Sequence, residues 1–206
     1  MNPVPQHQLL DAFGLDAAAI DQFETFLALL LRWNSRINLT AVRAPDEIVR
    51  RHFAESIFAA KQIPQTTKTL LDYGSGAGLP GIPIAICRPG IAVTLAESQS
   101  KKAAFLREAV RALGLKAEVW ADRVEAMEPG RVFDAVTLRA VDKMPAACKS
   151  AVERVAPHGC IAVFTTRKTE AALGQISTIR WEASLEIPGS DQELLKTGQR
   201  DPGLSG

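Results

Sequence analysis

Leu70-Leu71-Asp72-Tyr73-Gly74-Ser75-Gly76-Ala77-Gly78-Leu79-Pro80-Gly81 reads as an apolar strand that ends in an acid and runs into a loop with glycine at every second position. With no Cβ, Gly74, Gly76 and Gly78 can take positive φ and let backbone come into close contact with a bound molecule. The stretch therefore predicts a nucleotide-like cofactor over the end of this strand.

Gly76, Gly78 and Gly81 also spell G-x-G-x-x-G, and Glu97 follows about 20 residues on, so the dinucleotide fingerprint is formally met. Two residues argue against it. Asp72 stands just before the glycines, where its charge repels a pyrophosphate but suits the ammonium and sulfonium of S-adenosylmethionine. Pro80 has no N–H to give to a phosphate at the helix start. The pattern D-x-G-x-G-x-G thus points to S-adenosylmethionine rather than NAD or FAD.

Outward from this loop the chain alternates. Apolar runs rich in branched and aromatic residues predict strands over 69–73, 92–97, 117–121, 133–138 and 160–165. Between them, Phe105, Leu106, Ala109, Val110 and Leu113 recur at helical spacing, predicting a helix over 101–113. Strand-helix alternation implies parallel strands with right-handed crossovers, an α/β doubly wound, mostly parallel sheet that binds its ligand at the strands' carboxyl ends. Upstream, Asp16 caps a helix carrying Ile20, Phe23, Phe26, Leu27 and Leu30, with Leu15 and Ile20 as a staple. After a loop over 34–43, Pro45, Asp46 and Glu47 open a second helix that Pro64 ends. Residues 1–65 read as a helical extension and 66–206 as the core.

With 206 residues and 47% hydrophobic residues the chain can bury one good core without staples. The net charge of +1 does not by itself imply nucleic acid, yet the charge is segregated. Residues 32–61 hold six basic side chains against three acidic ones, and residues 99–116 hold five against Glu108 alone. That pattern is consistent with a polyanion along one face and equally with solvated helices. Three separated cysteines, Cys87, Cys148 and Cys160, fit a reducing cytoplasm, with no disulfide framework and no metal. Nothing at the N-terminus reads as a secretory signal, and the run over 26–31 is too short to span a bilayer.

In such a sheet, polar residues at strand ends converge on one crevice. Asp72 ends the first strand, and Glu97 ends the second, where an acid accepts both ribose hydroxyls of an adenosyl group. Asp122, Val124 and Glu125 follow the third, where the adenine edge is read. Arg139 ends the fourth. It has either a buried carboxylate partner or a ligand, and its place at the ligand edge favours a ligand, a cofactor carboxylate or an RNA phosphate. His52 and Ser56, one turn apart, are read as hydrogen-bonded to each other.

Trp33-Asn34, Asn38-Leu39-Thr40, Arg51-His52, Ser56, the loop from Gly74 to Pro83, Lys101-Lys102 before Phe105-Leu106, Arg123-Val124-Glu125 and Arg139-Ala140 together resemble the RsmG family, also called glucose-inhibited division protein B. The resemblance runs over residues 9–159 and implies a class I (Rossmann-like) S-adenosylmethionine-dependent methyltransferase acting on a guanine N7 of 16S ribosomal RNA, a cytoplasmic monomer working on that RNA or on the small subunit. By position it puts cofactor contacts on Gly74, Leu79, Val124, Glu125 and Arg139, alongside Asp72, Gly76, Gly78 and Glu97. Arg36, Arg51, Lys101, Lys102, Arg123 and Arg167 are the RNA-binding candidates. Two departures stand out. Thr165-Thr166 replaces the family's Lys-Gly, whose task would pass to Arg167 or Lys168 or else be lost with a lower affinity for RNA. The polar end over 192–206 predicts a short or missing last strand, leaving a sheet edge less protected.

Guanine N7 carries an in-plane lone pair and no proton, so no general base is expected and positioning should carry the reaction. The alternatives are a methyltransferase of this fold acting on a small molecule or protein, and a non-catalytic RNA-binding relative.

Overall fold

The computed structural model describes residues 6–141, 144–190 and 192–201. Its helical layer is built from α1 (Gln6–Asp11), α2 (Ala17–Asn34), α3 (Pro45–Glu47), a π-helical stretch (Ile48–Phe53) and α4 (Ala54–Gln62). The core continues as β1 (Thr69–Tyr73), α5 (Gly81–Cys87), β2 (Ala92–Ala96), α6 (Ser100–Ala112), β3 (Ala117–Trp120), β4 (Phe133–Leu138), α7 (Met144–Val152) and β5 (Val155–Thr166). It closes with α8 (Arg167–Leu173), β6 (Ile179–Trp181), β7 (Leu185–Glu186) and β8 (Glu193–Arg200).

The sheet order is β3-β2-β1-β4-β5-β8-β6, with β7 also on β8. The first five strands are parallel, and β8 runs antiparallel to β5. Alternation along β1 sorts its side chains: Leu70 packs with α2, α5 and α6, whereas Leu71 and Tyr73 pack with α7 and α8 on the other face. Asp72 shares the Leu70 face and sits opposite Thr137 of β4. This alternation places an acid beneath the glycine loop and a tyrosine across the sheet from it.

The helical layer shares one apolar cluster with β1, β2, α5 and α6. Phe53 lies 5.0 Å from Phe23 and 5.4 Å from Phe26, and Phe26 stacks on Phe105 of α6 at 6.4 Å. Trp33 Nε1 donates to Glu108 Oε2 at 2.9 Å, and Arg32 pairs with the same carboxylate. The Asp16 cap forms as the sequence indicates, its Oδ1 accepting from the Ala19 N–H at 2.8 Å.

The second helix differs from the simple one expected, because its middle six residues widen into the π-helical stretch that carries His52. The last strand is a correction. β8 pairs with β5 over seven positions, Cys160–Thr166, instead of being short or absent. Its buried apolar side chains are Leu194 and Leu195, one on each face, and its buried Lys196 is held by Glu170, the Glu182 carbonyl and Ser184 at 3.2–3.3 Å. Gly198 lets β6 come close, since a Cβ there would meet Ile179 at 2.4 Å. Residues 202–206, part of the polar end, lie outside the described residues.

Candidate active site

The carboxyl ends of β1–β4 open on a cavity of about 440 Å³. Tyr73 and Gly74 come from β1, Glu97, Ser98 and Gln99 from the end of β2, and Asp122, Arg123, Val124 and Glu125 from the turn after β3. Lys102 of α6 and Ala140 and Val141 after β4 complete the wall. A larger cavity, about 600 Å³, lies at the opposite end of the strands between Phe13, Lys61, Cys87 and Lys116. It has neither the glycine loop nor a strand-end carboxylate, so the smaller cavity is the one built for a cofactor.

Three glycines do three different jobs. Gly74, at φ +69°, is on the cavity wall, and a Cβ there would come within 3.3 Å of Val141 across the crevice. Gly76, at φ +56°, gives its N–H to Glu97 Oε2 at 3.0 Å. At Gly78 a Cβ would stand 2.4 Å from Ile82, so that position serves the packing of loop on α5. Gly76, Gly78, Leu79 and Arg139, all expected at the cofactor, are not on the cavity wall.

Asp72 is a clearer correction. It is 1% exposed, lies under the loop instead of in the cavity, and accepts from the Ser75 hydroxyl, the Gly81 N–H at 3.2 Å and the Thr137 hydroxyl at 2.8 Å. Burial pushes its carboxyl above the ordinary range, an effect partly offset by these three donors and by Arg139. These bonds organise the loop from beneath.

This arrangement also decides against a pyrophosphate. The Gly81 N–H goes to Asp72, the Ile82 N–H goes to the Gly78 carbonyl at 2.8 Å, and Pro80 and Pro83 have none. The start of α5 has no free donors for an anion.

The cavity's acid does fit an adenosyl group. Glu97 is 6% exposed, with Oε2 accepting from Gly76 and Oε1 from the Gln99 N–H at 2.7 Å. A carboxylate has about four acceptor sites, so two remain for ribose hydroxyls after these bonds fix its orientation. Glu125 accepts at Oε1 from Tyr73 Oη at 2.7 Å and from Ser150 Oγ at 2.9 Å. The Tyr73 donation is the main reason its carboxyl lies below the ordinary range.

Arg139 takes the alternative that its sequence position disfavoured. It pairs with buried Glu55, donates through Nη2 to His52 Nδ1 at 2.9 Å, and lies over the Phe164 ring at 5.1 Å. Its Nη1 is buried and has no hydrogen-bond partner among the described residues. A charged donor left without an acceptor is costly, and the next two residues, Ala140 and Val141, stand on the cavity wall. The chain then turns at Ala140, whose φ of +48° is unusual for alanine, so that Val141 can face Gly74. The expected side-chain bond between His52 and Ser56 is replaced by donation from Ser56 Oγ to the His52 carbonyl at 2.6 Å.

Comparison with known proteins agrees with this geometry. The family model for rRNA small subunit methyltransferase G (GidB) matches residues 19–185. Ribosomal RNA small subunit methyltransferase G of Stenotrophomonas maltophilia strain K279a is 41% identical over 97% of this chain and 88% of that protein. The protein of the same name from Xanthomonas euvesicatoria is 41% identical over 89% of this chain and 88% of its own length. The chain belongs to this family. In fold it also resembles an S-adenosylmethionine-dependent methyltransferase from Aquifex aeolicus, with a TM-score of 0.60 at 16% identity over 75% of this chain and 93% of that one.

The basic candidates of this methyltransferase fall in different places. Lys102 and Arg123, read from sequence as RNA contacts, stand on the cavity wall. Arg36 and Lys101 are exposed. Arg51 is paired with Glu47 at 3.3 Å, and Arg167 with Glu186 at 2.5 Å, both on the surface. Thr166, at the departure from the family, caps α8 in a reciprocal bond with Thr169, which gives the Thr-Thr pair a structural task. Ser98, Gln99 and Val141 were missed, and only their places after strand ends signalled them. Among the described residues no helix is long and apolar enough to cross a membrane.

One consequence concerns Tyr73. Tyr73→Phe should lower stability by about 1 kcal/mol and weaken cofactor affinity a few-fold, because Glu125 keeps only Ser150. Glu125 has a depressed pKa in the folded protein, so its stabilisation is present above the ordinary carboxylate range and is lost as pH falls through the folded value. Urea unfolding should therefore show the largest difference between variant and parent near neutral pH and a closing gap on acidification.

Proposed function

We propose that this protein transfers a methyl group from S-adenosylmethionine to N7 of a guanine in small-subunit (16S) ribosomal RNA. The observation that carries it is the crevice itself: Gly74 backbone, Glu97 and the turn of Val124 and Glu125 around one cavity, on a chain of the methyltransferase G family. Gly74 would face the cofactor through backbone, Glu97 would hold its ribose, and the turn from Asp122 to Glu125 would border its adenine. The free Nη1 of Arg139 would take its carboxylate. When bound, S-adenosylmethionine would supply a sulfonium methyl group: the in-plane lone pair of guanine N7 forms the new N–C bond as the methyl–sulfur bond breaks, the electron pair leaves on sulfur as a neutral thioether, the positive charge passes to the purine, and no proton is lost.

The protein's task is then to orient, hold and dry the site. No side chain has to accept a proton, and among the described residues no histidine lies on the cavity wall. Exposed Arg36, Arg43 and Lys101 hold phosphates, which fixes register without reading bases.

The reading is tested by incubating the protein with methyl-labelled cofactor and small-subunit RNA from cells lacking the modification, followed by cleavage at N7-methylguanine. One labelled guanine is expected. Label at another atom, or none from either free RNA or intact subunits in a sample that binds the cofactor, refutes the substrate assignment.

A further inference from the structure

Between the helical layer and the end of β4 runs a chain of buried polar contacts that the proposed chemistry does not use. It begins at Asn34, 4% exposed, whose Nδ2 donates to the Thr40 carbonyl at 3.0 Å and whose Oδ1 accepts from the Leu39 and Thr40 N–H groups at 2.9 and 3.1 Å. These bonds fix the loop over 35–44, which carries exposed Arg36 and Arg43. Thr40 Oγ1 is 2.8 Å from His52 Nε2, and His52 Nδ1 is 2.9 Å from Arg139 Nη2.

Donor counting sets the protons. A guanidinium only donates, so Nδ1 of His52 accepts, and in the neutral ring Nε2 carries the hydrogen and donates to Thr40 Oγ1. That oxygen also accepts from the Val42 N–H at 3.2 Å. With both acceptor positions taken, the Thr40 hydroxyl proton is left to donate elsewhere, on a half-exposed basic loop. At the other end Arg139 is held by His52 and Glu55 with Nη1 unpartnered. The charged groups facing His52 are Glu55 at 4.0 Å from its own helix and Arg139 just after β4. The π-helical stretch Ile48–Phe53 carries the ring between these two neighbours. Such local widenings of a helix occur often at functional sites.

We propose that His52 is a positioning residue that couples RNA on the loop over 35–44 to the cofactor at Arg139, through the hydrogen-bonded chain Thr40–His52–Arg139. The inference rests on the function proposed above. An RNA acceptor on the Thr40 hydroxyl fixes the rotor, the imidazole and then the guanidinium, so each ligand binds a partner already ordered by the other. Coupling of this kind is reciprocal, and a factor of about five or more is expected in both directions.

The test uses S-adenosylhomocysteine as a non-reacting probe and small ribosomal subunits lacking the methylation. In the wild type, saturating subunits should tighten the probe about five-fold, and saturating probe should tighten the subunits equally. His52→Asn leaves an acceptor where Nδ1 was and removes the reach to Thr40. Its probe affinity without RNA should stay near wild type while the coupling disappears. Thr40→Val, which leaves His52 and Arg139 in contact, should do the same. His52→Gln reaches toward Thr40 but leaves Arg139 without its acceptor, so probe affinity should fall even without RNA. Equal losses in His52→Asn and His52→Gln that track melting temperature overturn the proposal and make His52 a packing residue. Wild-type coupling retained in Thr40→Val overturns it as well. A wild type that methylates the RNA but shows no coupling refutes this inference alone, whereas one that binds no RNA refutes the functional reading beneath it.

Discussion

Arg139→Met should destabilise the protein by about 3–5 kcal/mol, because it leaves Glu55, 2% exposed, as a buried charge without its cation. In the wild type, burial alone would raise the Glu55 carboxyl, but the Arg139 charge paired with it and the neighbouring His52 outweigh burial and hold it below the ordinary range. A depressed carboxyl contributes stability above the unfolded value that is lost as pH falls through the folded one. In Arg139→Met the balance reverses: burial dominates, the folded state binds the proton more tightly than the unfolded, and the deficit should shrink as pH is lowered from 7.5 to 5.5. Urea unfolding at the two values reads both slopes. The double variant Glu55→Gln, Arg139→Met removes the stranded charge and should recover most of the stability, yet its cofactor affinity should stay about 10–100-fold down, since a charge-assisted hydrogen bond is missing. Recovery of cofactor binding along with stability would show that Arg139 serves the fold alone.

That pair also marks the limit of what the sequence conveys. β1 and its loop are legible because strand alternation, a strand-end acid and three spaced glycines all act within twelve residues. The partner of Arg139 is not legible, because Glu55 lies 84 positions away and meets it only once the helical layer has docked on the sheet. Nor is the π-helical stretch, since Val49, Phe53 and Ile57 stand at the i, i+4, i+8 spacing of an ordinary α-helix. Lys102 reads as one charge in a basic run, and only the first turn of α6 places it on the cavity wall. The six-residue α1 buries Leu10 alone and leaves no periodic stripe to read. The same holds for β8, with two leucines and a lysine buried by tertiary partners in place of an apolar run. Asp72 shows the subtler failure: its importance is evident from position, but which side of the loop its carboxylate serves depends on the face alternation of β1 and on where Gly81 comes to rest.

Gly81→Ala should therefore be the most damaging small substitution in the loop. A Cβ at this position would stand 2.4 Å from Leu95, 2.6 Å from Asp72 Oδ2 and 2.9 Å from Asp72 Cβ, all in a buried region that cannot yield far. Overpacking of a core costs about 1–3 kcal/mol, and displacing Asp72 also breaks hydrogen bonds worth about 0.5–1.5 kcal/mol each. A loss of about 3 kcal/mol or more is expected, with cofactor affinity down at least about 100-fold as the loop from Gly74 to Gly78 loses its anchor. Asp72→Asn is the control that locates the cause. Its amide oxygen can still accept from Ser75 and Gly81, while its nitrogen faces a Thr137 hydroxyl able to turn and accept. Burial raises the Asp72 carboxyl and so already disfavours its charge, and the change should cost about 1 kcal/mol and leave cofactor affinity within a few-fold. Because the folded protein raises the Asp72 pKa, the wild type gains stability from this group as pH falls, and Asp72→Asn should lose that slope. Calorimetric titration with S-adenosylmethionine separates the two roles. Near-normal binding in Asp72→Asn beside none in Gly81→Ala means that the acid works by shaping the loop, whereas collapse of binding in a well-folded Asp72→Asn means that its charge acts on the cofactor's cation directly.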